Sequence, residues 1–407
     1  MELIDNQTRV CVLTGRKMAA IASIALEGPE SQTILGKIFR KNPFNKHRSN
    51  TAADTGVIDL QQVLYGCIMD GSQVIDEAVV GCEEKDSYVI HCHGNPLLVE
   101  RIINLLQSYG AQLTEAETFF LRRYRRQSGS LIEAEAKLAM QTSYTIAGVR
   151  ILQAQIAAGL TLWAGRMMDA VNILTREQIQ NECRQILANS IIARRIIHGV
   201  RIVIAGPPNS GKSTLLNCLA GRQEAIVSDI AGTTRDWISI VCRMEPLYAE
   251  FIDTAGLDTS LAQDYALQRH AQQITQQLLE NCDLILHLHD AAALEDSGIQ
   301  SINTNVIANF AQKKPIINIY NKIDLLKDRN IPHCLPNGLC ISAKEGIGIE
   351  LLGRTIGKTL GTNDFDANQP VVFTDRQRAI ISQIMNSAES LRDLLSDLIG
   401  LSYPSTH

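Results

Sequence analysis

Apolar and polar residues alternate in short runs through the first part of the chain. RVCVLTG, AAIASIALEG, QVLYGCIMDG, DEAVVGC and DSYVIHCHG are rich in β-branched residues and bounded by Gly, Asp or Asn, the signature of strands. SQTILGKIF and PLLVERIINLLQSYG carry helical spacing instead. The pattern predicts an α+β domain over 1–114. The basic stretch KIFRKNPFNKHR at 37–48 reads as a solvated helix end and loop.

From 115 to 198 the period changes. EAEAKLAMQTSYTIAGVRILQAQIAAGL and REQIQNECRQILANSIIARRIIHG keep apolar residues three and four apart with few breakers, which predicts long amphipathic helices. Their apolar faces need a partner. TDRQRAIISQIMNSAESLRDLLSDLIG at 374–400 offers a further helix or pair, so 115–198 and 363–407 read as two halves of one bundle around an inserted domain at 199–362. Two unrelated helical linkers are the alternative.

Length and composition bound the classes. A chain of 407 residues suits two or three domains. With 45% hydrophobic and 20% charged residues it is globular, and a net charge of −5 argues against a generally basic nucleic-acid wrapper. The ten cysteines show no CxxC pair, which suits reduced thiols. In HCHG, Cys92 sits between His91 and His93. Strand alternation turns Cys92 away from both histidines and no second ligand cluster is evident, so the motif reads as structural, not metal-binding. No run of apolar residues has membrane-spanning length, and MELIDNQTRV lacks a signal-peptide pattern, so the expectation is a soluble cytoplasmic protein.

The inserted domain carries the chemistry. RIVIA reads as a buried strand leading into GPPNSGKS at 206–213, and STLLNCLAG continues with helical spacing. Strand, glycine-rich turn and helix stand in the order of a phosphate cradle. Amides from Asn209 and Ser210 through Gly211, Lys212, Ser213 and Thr214 face the phosphates, Lys212 neutralises them, and the Ser213 hydroxyl suits Mg²⁺. Farther along, NKID offers Asn321, Lys322 and Asp324. The Asp324 carboxylate matches the adjacent N–H donors of guanine and would meet no such pair on adenine. SAKEG brings Ser342, Ala343 and Lys344 to the guanine oxygen. DTAGL puts Asp253 at a strand end for water-mediated Mg²⁺ binding and Gly256 beside the γ-phosphate, while GTTRD supplies Thr234 as a second hydroxyl ligand to Mg²⁺. The five motifs in this order predict a GTP- and GDP-binding GTPase domain.

The stretches GPPNSGKSTLLNCLAGRQEAIVSDIAGTTRD and DTAGL closely resemble the tRNA-modification GTPases of the MnmE (TrmE) family. DSYVIHCHGNPLLVERIINLLQSYGAQLTEAE and IEAEAKLAMQ…LQAQIAAGL extend the likeness more loosely over most of the chain. The resemblance implies a multidomain α/β protein, with a P-loop GTPase domain inserted in a helical domain and preceded by an α+β domain that dimerises and binds a formylated tetrahydrofolate. It implies a flavoprotein partner of the MnmG (GidA) type, tRNA as substrate, and installation of an aminomethyl-type group at C5 of a wobble uridine. By the same likeness Asn209 helps hold K⁺ beside the phosphates. The residue after DTAG is Leu257, which cannot orient water, and the family's glutamate in the following segment is matched here by Asp264, one methylene shorter.

Other departures keep further readings open. The family ends in a cysteine-containing CIGK, whereas this sequence ends LSYPSTH with no cysteine after Cys340, and FFLRRYRRQSGSL replaces a glycine-and-lysine loop. RRYRR at 122–126 reads as an exposed helix surface or as a contact for tRNA phosphates. Besides the modifying enzyme, a GTP-driven regulatory or assembly paralogue and a non-hydrolysing guanine-nucleotide scaffold remain as alternatives.

Overall fold

The computed structural model of the protein describes residues 7–15, 17–41, 62–221, 225–226, 238–253, 273–274, 276–293, 314–326, 338–386 and 390–400. The chain divides into two compact units, Met1–Gly129 and Ser130–His407.

Among the described residues the first unit is one sheet with three helices. In chain order it runs β1 (Arg9–Val12), β2 (Ile21–Glu27), α1 (Ser31–Ile38), β3 (Phe39–Lys41), β4 (Val63–Asp70), β5 (Gln73–Glu84), β6 (Ser87–His93), α2 (Pro96–Ser108), β7 (Gln112–Leu113) and α3 (Ala116–Gln127). The spatial order is β3-β4-β5-β6-β2-β1-β7, antiparallel except where β1 meets β7. Alternation along the strands sends Ile24, Leu26, Ile68, Val80 and Ile90 to one face, where they pack on Leu35, Ile38, Ile102 and Leu106 of α1 and α2. Asn95 caps α2 through the Leu97 amide, and Pro96 stands where no helical N–H is needed.

On the other face, Phe119 of α3 packs against Cys11 and Ala25. Its arginines are drawn into ion pairs with the sheet, Arg123 with Glu83 and Arg126 with Glu27. Arg123 and Arg126 of RRYRR therefore hold α3 down. Phe39–Lys41 departs from the helix end and loop expected there. Phe39 is buried while Arg40 and Lys41 point to solvent, so an edge strand accommodates both the apolar ring and the charges. Residues 42–48 of that stretch lie outside the described residues.

The second unit begins with α4 (Leu131–Met140), α5 (Ile146–Ala157), α6 (Gly159–Asp169) and α7 (Arg176–His198). The run EAEAKLAMQ…IAAGL, read as long amphipathic helix, is divided among α4, α5 and the start of α6. Thr145 caps α5 through the Gly148 amide and donates its hydroxyl to the Ile196 carbonyl, which ends α4 early. At Ala158 the fully buried Gln155 takes over: its Oε1 accepts from the Leu160 and Val371 amides, and its Nε2 donates to the Ala367 and Gln369 carbonyls. Unlike the expectation from apolar runs, Ile146–Asp169 is long and apolar enough, by length and composition alone, to cross a membrane. Here it is folded into this pair of helices, which bury Ile151, Leu152, Leu160 and Trp163 in the protein core. The α7 helix opens with a reciprocal capping box between Thr175 and Gln178.

The nucleotide domain follows: β8 (Val200–Ala205), α8 (Lys212–Ala220), β9 (Ala225–Ile226), β10 (Ile238–Met244), β11 (Leu247–Asp253), β12 (Leu284–Asp290), β13 (Ile316–Asn321), β14 (Gly338–Cys340) and α9 (Ile349–Leu360). Its sheet order is β14-β13-β12-β8-β11-β10-β9, parallel from β14 to β11 with β10 and β9 antiparallel. The chain then returns to the helices with α10 (Asp375–Asn386) and α11 (Leu391–Ile399). Ile132, Trp163 and Ile186 from before the insertion share one core with Ile381, Leu395 and Leu398 from after it. A P-loop domain inserted in a helical domain is what the two apolar faces required.

One buried network ties the two helical halves together. Arg376 of α10 grips both oxygens of Glu135 on α4, at 2.6 and 2.8 Å, and donates to the Asp397 and Leu398 carbonyls of α11. Gln377 adds a third hydrogen bond to Glu135 at 2.7 Å. Glu135→Ala is expected to lower stability by about 2 kcal/mol. That is below the roughly 3–5 kcal/mol of a fully buried pair because water reaches part of Arg376. Urea unfolding checks it, and an unchanged midpoint would contradict it.

Candidate guanine-nucleotide site

The site lies at the carboxyl ends of the parallel strands, where the loop after β8 meets the ends of β11, β12 and β13. β8 stops at Ala205 because Gly206 breaks away with φ 154°, and a side chain there would strike the Leu288 carbonyl of β12 at 2.3 Å. Asn209 takes the left-handed conformation, φ 62°, which asparagine tolerates, and its side chain is exposed. Gly211 follows at φ 94°, and a Cβ on it would lie 2.2 Å from Asn321 Nδ2. Loop and base-reading strand touch only because that residue is glycine.

Lys212 opens α8 and is buried. Its ammonium donates to the Gly206 and Pro207 carbonyls at 2.9 and 3.0 Å, which holds the charge inside the loop where phosphates would sit. One residue on, the Ser213 hydroxyl donates to Asp253 Oδ2 at 2.8 Å. Asp253 is buried at the end of β11, in register with Ile204 of β8. Two oxygen donors, one hydroxyl and one carboxylate, thus meet beside the helix N-terminus, and this hard-oxygen pair fits Mg²⁺. Thr214 lies exposed on the first turn of α8.

Asn321 joins the P-loop to the base loops. From the end of β13, nearly inaccessible to solvent, it donates to the Ser210 carbonyl at 3.0 Å and accepts from the Ala343 amide at 3.0 Å. Asp324 accepts from the Ser342 hydroxyl at 2.6 Å, and Ser342 in turn accepts from the Glu345 amide. The carboxylate that should read guanine is therefore held by the SAK loop, with Lys344 exposed beside it. Lys322, at φ 68°, extends its ammonium to Asp290 at 2.7 Å. Asp290 also caps the Ala292 and Ala293 amides, so it ties β12 to the NKID loop.

Asn321→Ala would leave the Ser210 carbonyl and the Ala343 amide buried without their partner. At about 1–3 kcal/mol for each such group, a loss of about 3 kcal/mol is expected, together with weaker binding of GTP and GDP alike. Thermal unfolding and GDP titration read both effects, and wild-type values would contradict the linking role.

Asp290 was not singled out in the sequence, although an Asp closing an apolar strand beside a P-loop is a usable signal. Nor were His287 and His289, which stand on β12 under the base loop with ring centroids 4.1 Å apart. His289 stacks on Tyr320, the residue before Asn321. Burial, reinforced by His289, pushes His287 down to about 4, and burial lowers His289 as well. Thr234, Gly256, Leu257 and Asp264 lie outside the described residues.

Residues 201–322 match the family described as 50S ribosome-binding GTPase. Over nearly the whole chain the sequence is similar to the tRNA modification GTPase MnmE of Desulfotalea psychrophila, 28% identical over 98% of this chain and 91% of that protein. The MnmE of Flavobacterium psychrophilum is 26% identical over 98% and 93%. Among solved structures, Aquifex aeolicus Era bound to GDP·AlF4⁻ shares 30% identity over 45% of this chain and 64% of its own, with a TM-score of 0.32. The P-loop and the matched GTPase domain make this a GTP-binding and GTP-hydrolysing protein, and over nearly its whole length the chain is similar to the MnmE tRNA modification GTPases.

Proposed function

We propose that this protein couples K⁺-stimulated GTP hydrolysis to tRNA modification, installing an aminomethyl-type group at C5 of a wobble uridine. The observation that carries the reading is the reach of the similarity, 98% of this chain and 91% of a relative named for tRNA modification. A likeness confined to the nucleotide domain would support GTP hydrolysis alone.

The parts divide as follows. Residues 1–114 form the dimerisation and folate-type domain, 115–198 and 363–407 the helical domain, and 199–362 the GTPase domain. Lys212 and the amides of residues 209–214 bind the phosphates, Asn321, Asp324 and Ala343 the guanine, and Ser213 with Thr234, and Asp253 through water, would hold Mg²⁺. Lys322 and Ser342 brace that base loop, Lys344 flanks it, and Gly256 meets the γ-phosphate. Asn209 would hold K⁺, where a fixed positive charge favours the developing phosphate charge. Asp264 orients the attacking water. The partners are a second copy of the chain, an MnmG-like flavoprotein, tRNA and a formylated tetrahydrofolate, in the cytoplasm.

Mass spectrometry of tRNA nucleosides tests the reading. Cells lacking the gene should lose the C5-substituted wobble uridine and regain it with the wild-type chain. A full complement of the modified nucleoside in the deletion strain, with no second copy of the gene, would assign the GTPase to a regulatory role instead.

A further inference from the structure

The first unit carries two histidines on one face of β6, far in sequence from the nucleotide motifs. His91 and His93 are two residues apart on β6 and exposed, while Cys92 between them is buried on the opposite face. Alternation removes the cysteine, the ground on which the motif reads as non-metal in the sequence, but by the same rule it puts the two histidines on one face.

Both rings already have one nitrogen engaged. His93 Nδ1 donates to Asp76 Oδ1 at 2.7 Å, and the other Asp76 oxygen accepts the His93 backbone N–H at 2.9 Å. Asp76 is itself buried and also accepts the Glu77 amide, so its carboxylate is fixed from three sides. His91 Nδ1 lies 2.8 Å from the Ser23 hydroxyl on the neighbouring strand. That leaves Nε2 as the outward nitrogen of each ring, and the side chain of His93 is 66% exposed. A carboxylate behind a histidine is the arrangement that orients an imidazole ligand and raises its basicity.

We propose that His91 and His93 form a surface site for a borderline divalent ion of the Zn²⁺ class, bound through both Nε2 atoms, with Asp76 and Ser23 orienting the rings. Imidazole nitrogens select such ions over Mg²⁺ or Ca²⁺, which require oxygen. Among the described residues no three His, Cys, Asp or Glu side chains converge, so water completes the coordination. Glu77, next to Asp76, is a further carboxylate that acts on His93, but it accepts the Tyr65 hydroxyl at 2.6 Å. Binding is accordingly of moderate strength and open to an outside ligand.

The test uses the full chain saturated with Mg²⁺ and GDP, so that the P-loop donors are occupied. Zn²⁺ titration by calorimetry should show a site that weakens about 10-fold or more in His91→Ala and in His93→Ala, each confirmed as folded by a cooperative thermal transition. Asp76→Asn should weaken it by roughly 10-fold through ring orientation alone. With Cu²⁺ as probe, electron paramagnetic resonance should show coupling to two imidazole nitrogens in the wild type and to one in each histidine variant. Equal Zn²⁺ affinity in the wild type and the double variant, or absence of the two-nitrogen signal, would overturn the site. Unchanged affinity in folded Asp76→Asn would overturn the orienting role.

Discussion

Asp324→Asn is expected to weaken GTP binding roughly 10³-fold and to turn preference toward xanthosine triphosphate. Two charge-assisted hydrogen bonds from guanine, each about 1.5–3 kcal/mol, depend on that carboxylate. Asparagine keeps its shape and can still accept from the Ser342 hydroxyl, which now lies 2.6 Å from Oδ1, so the loop should stand. Its amide N–H₂ would then face the guanine donors. Xanthine carries a carbonyl at C2, where an amide can donate. Calorimetric titration with both nucleotides decides it, and an unchanged GTP affinity would remove NKID from the base site.

Asp264→Ala should reduce turnover by roughly 10²-fold or more while GDP affinity stays near wild type, in line with the loss of a positioned acid–base group. The reason lies one motif upstream: Leu257, where a polar residue could align water, has no hydrogen-bonding atom. Asp264→Glu should be neutral or faster, since the longer side chain restores reach. Single-turnover hydrolysis separates these outcomes from a defect in binding, and wild-type turnover in Asp264→Ala would assign water positioning elsewhere.

What could be read from the sequence was local. GPPNSGKS lies between a buried-strand pattern and a helical one, and β8 and α8 stand where those patterns placed them. The apolar faces of the flanking helices likewise announced a shared core, now formed by Trp163 and Ile186 with Ile381 and Leu395. The breaks in the helical run were not legible, because their causes are distant: Thr145 reaches Ile196, and Gln155 reaches Ala367 to Val371. Periodicity reports neighbours within a few turns and is blind to a glutamine that satisfies backbone groups more than 200 residues away. The same holds in the site, where Asp290 acquires its meaning from Lys322, in the loop after the next strand.

GTP turnover in KCl and in NaCl at equal ionic strength, with Asn209→Ala measured alongside, tests the central claim most directly. Equal ionic strength removes screening as an explanation. Asn209 stands exposed in the left-handed turn of the P-loop, while Lys212 and the loop amides are separate from it. Hydrolysis should be faster in KCl for the wild type, the difference should vanish in Asn209→Ala, and GDP affinity should stay nearly intact in both. Equal turnover of the wild type in the two salts would contradict a K⁺-stimulated GTPase.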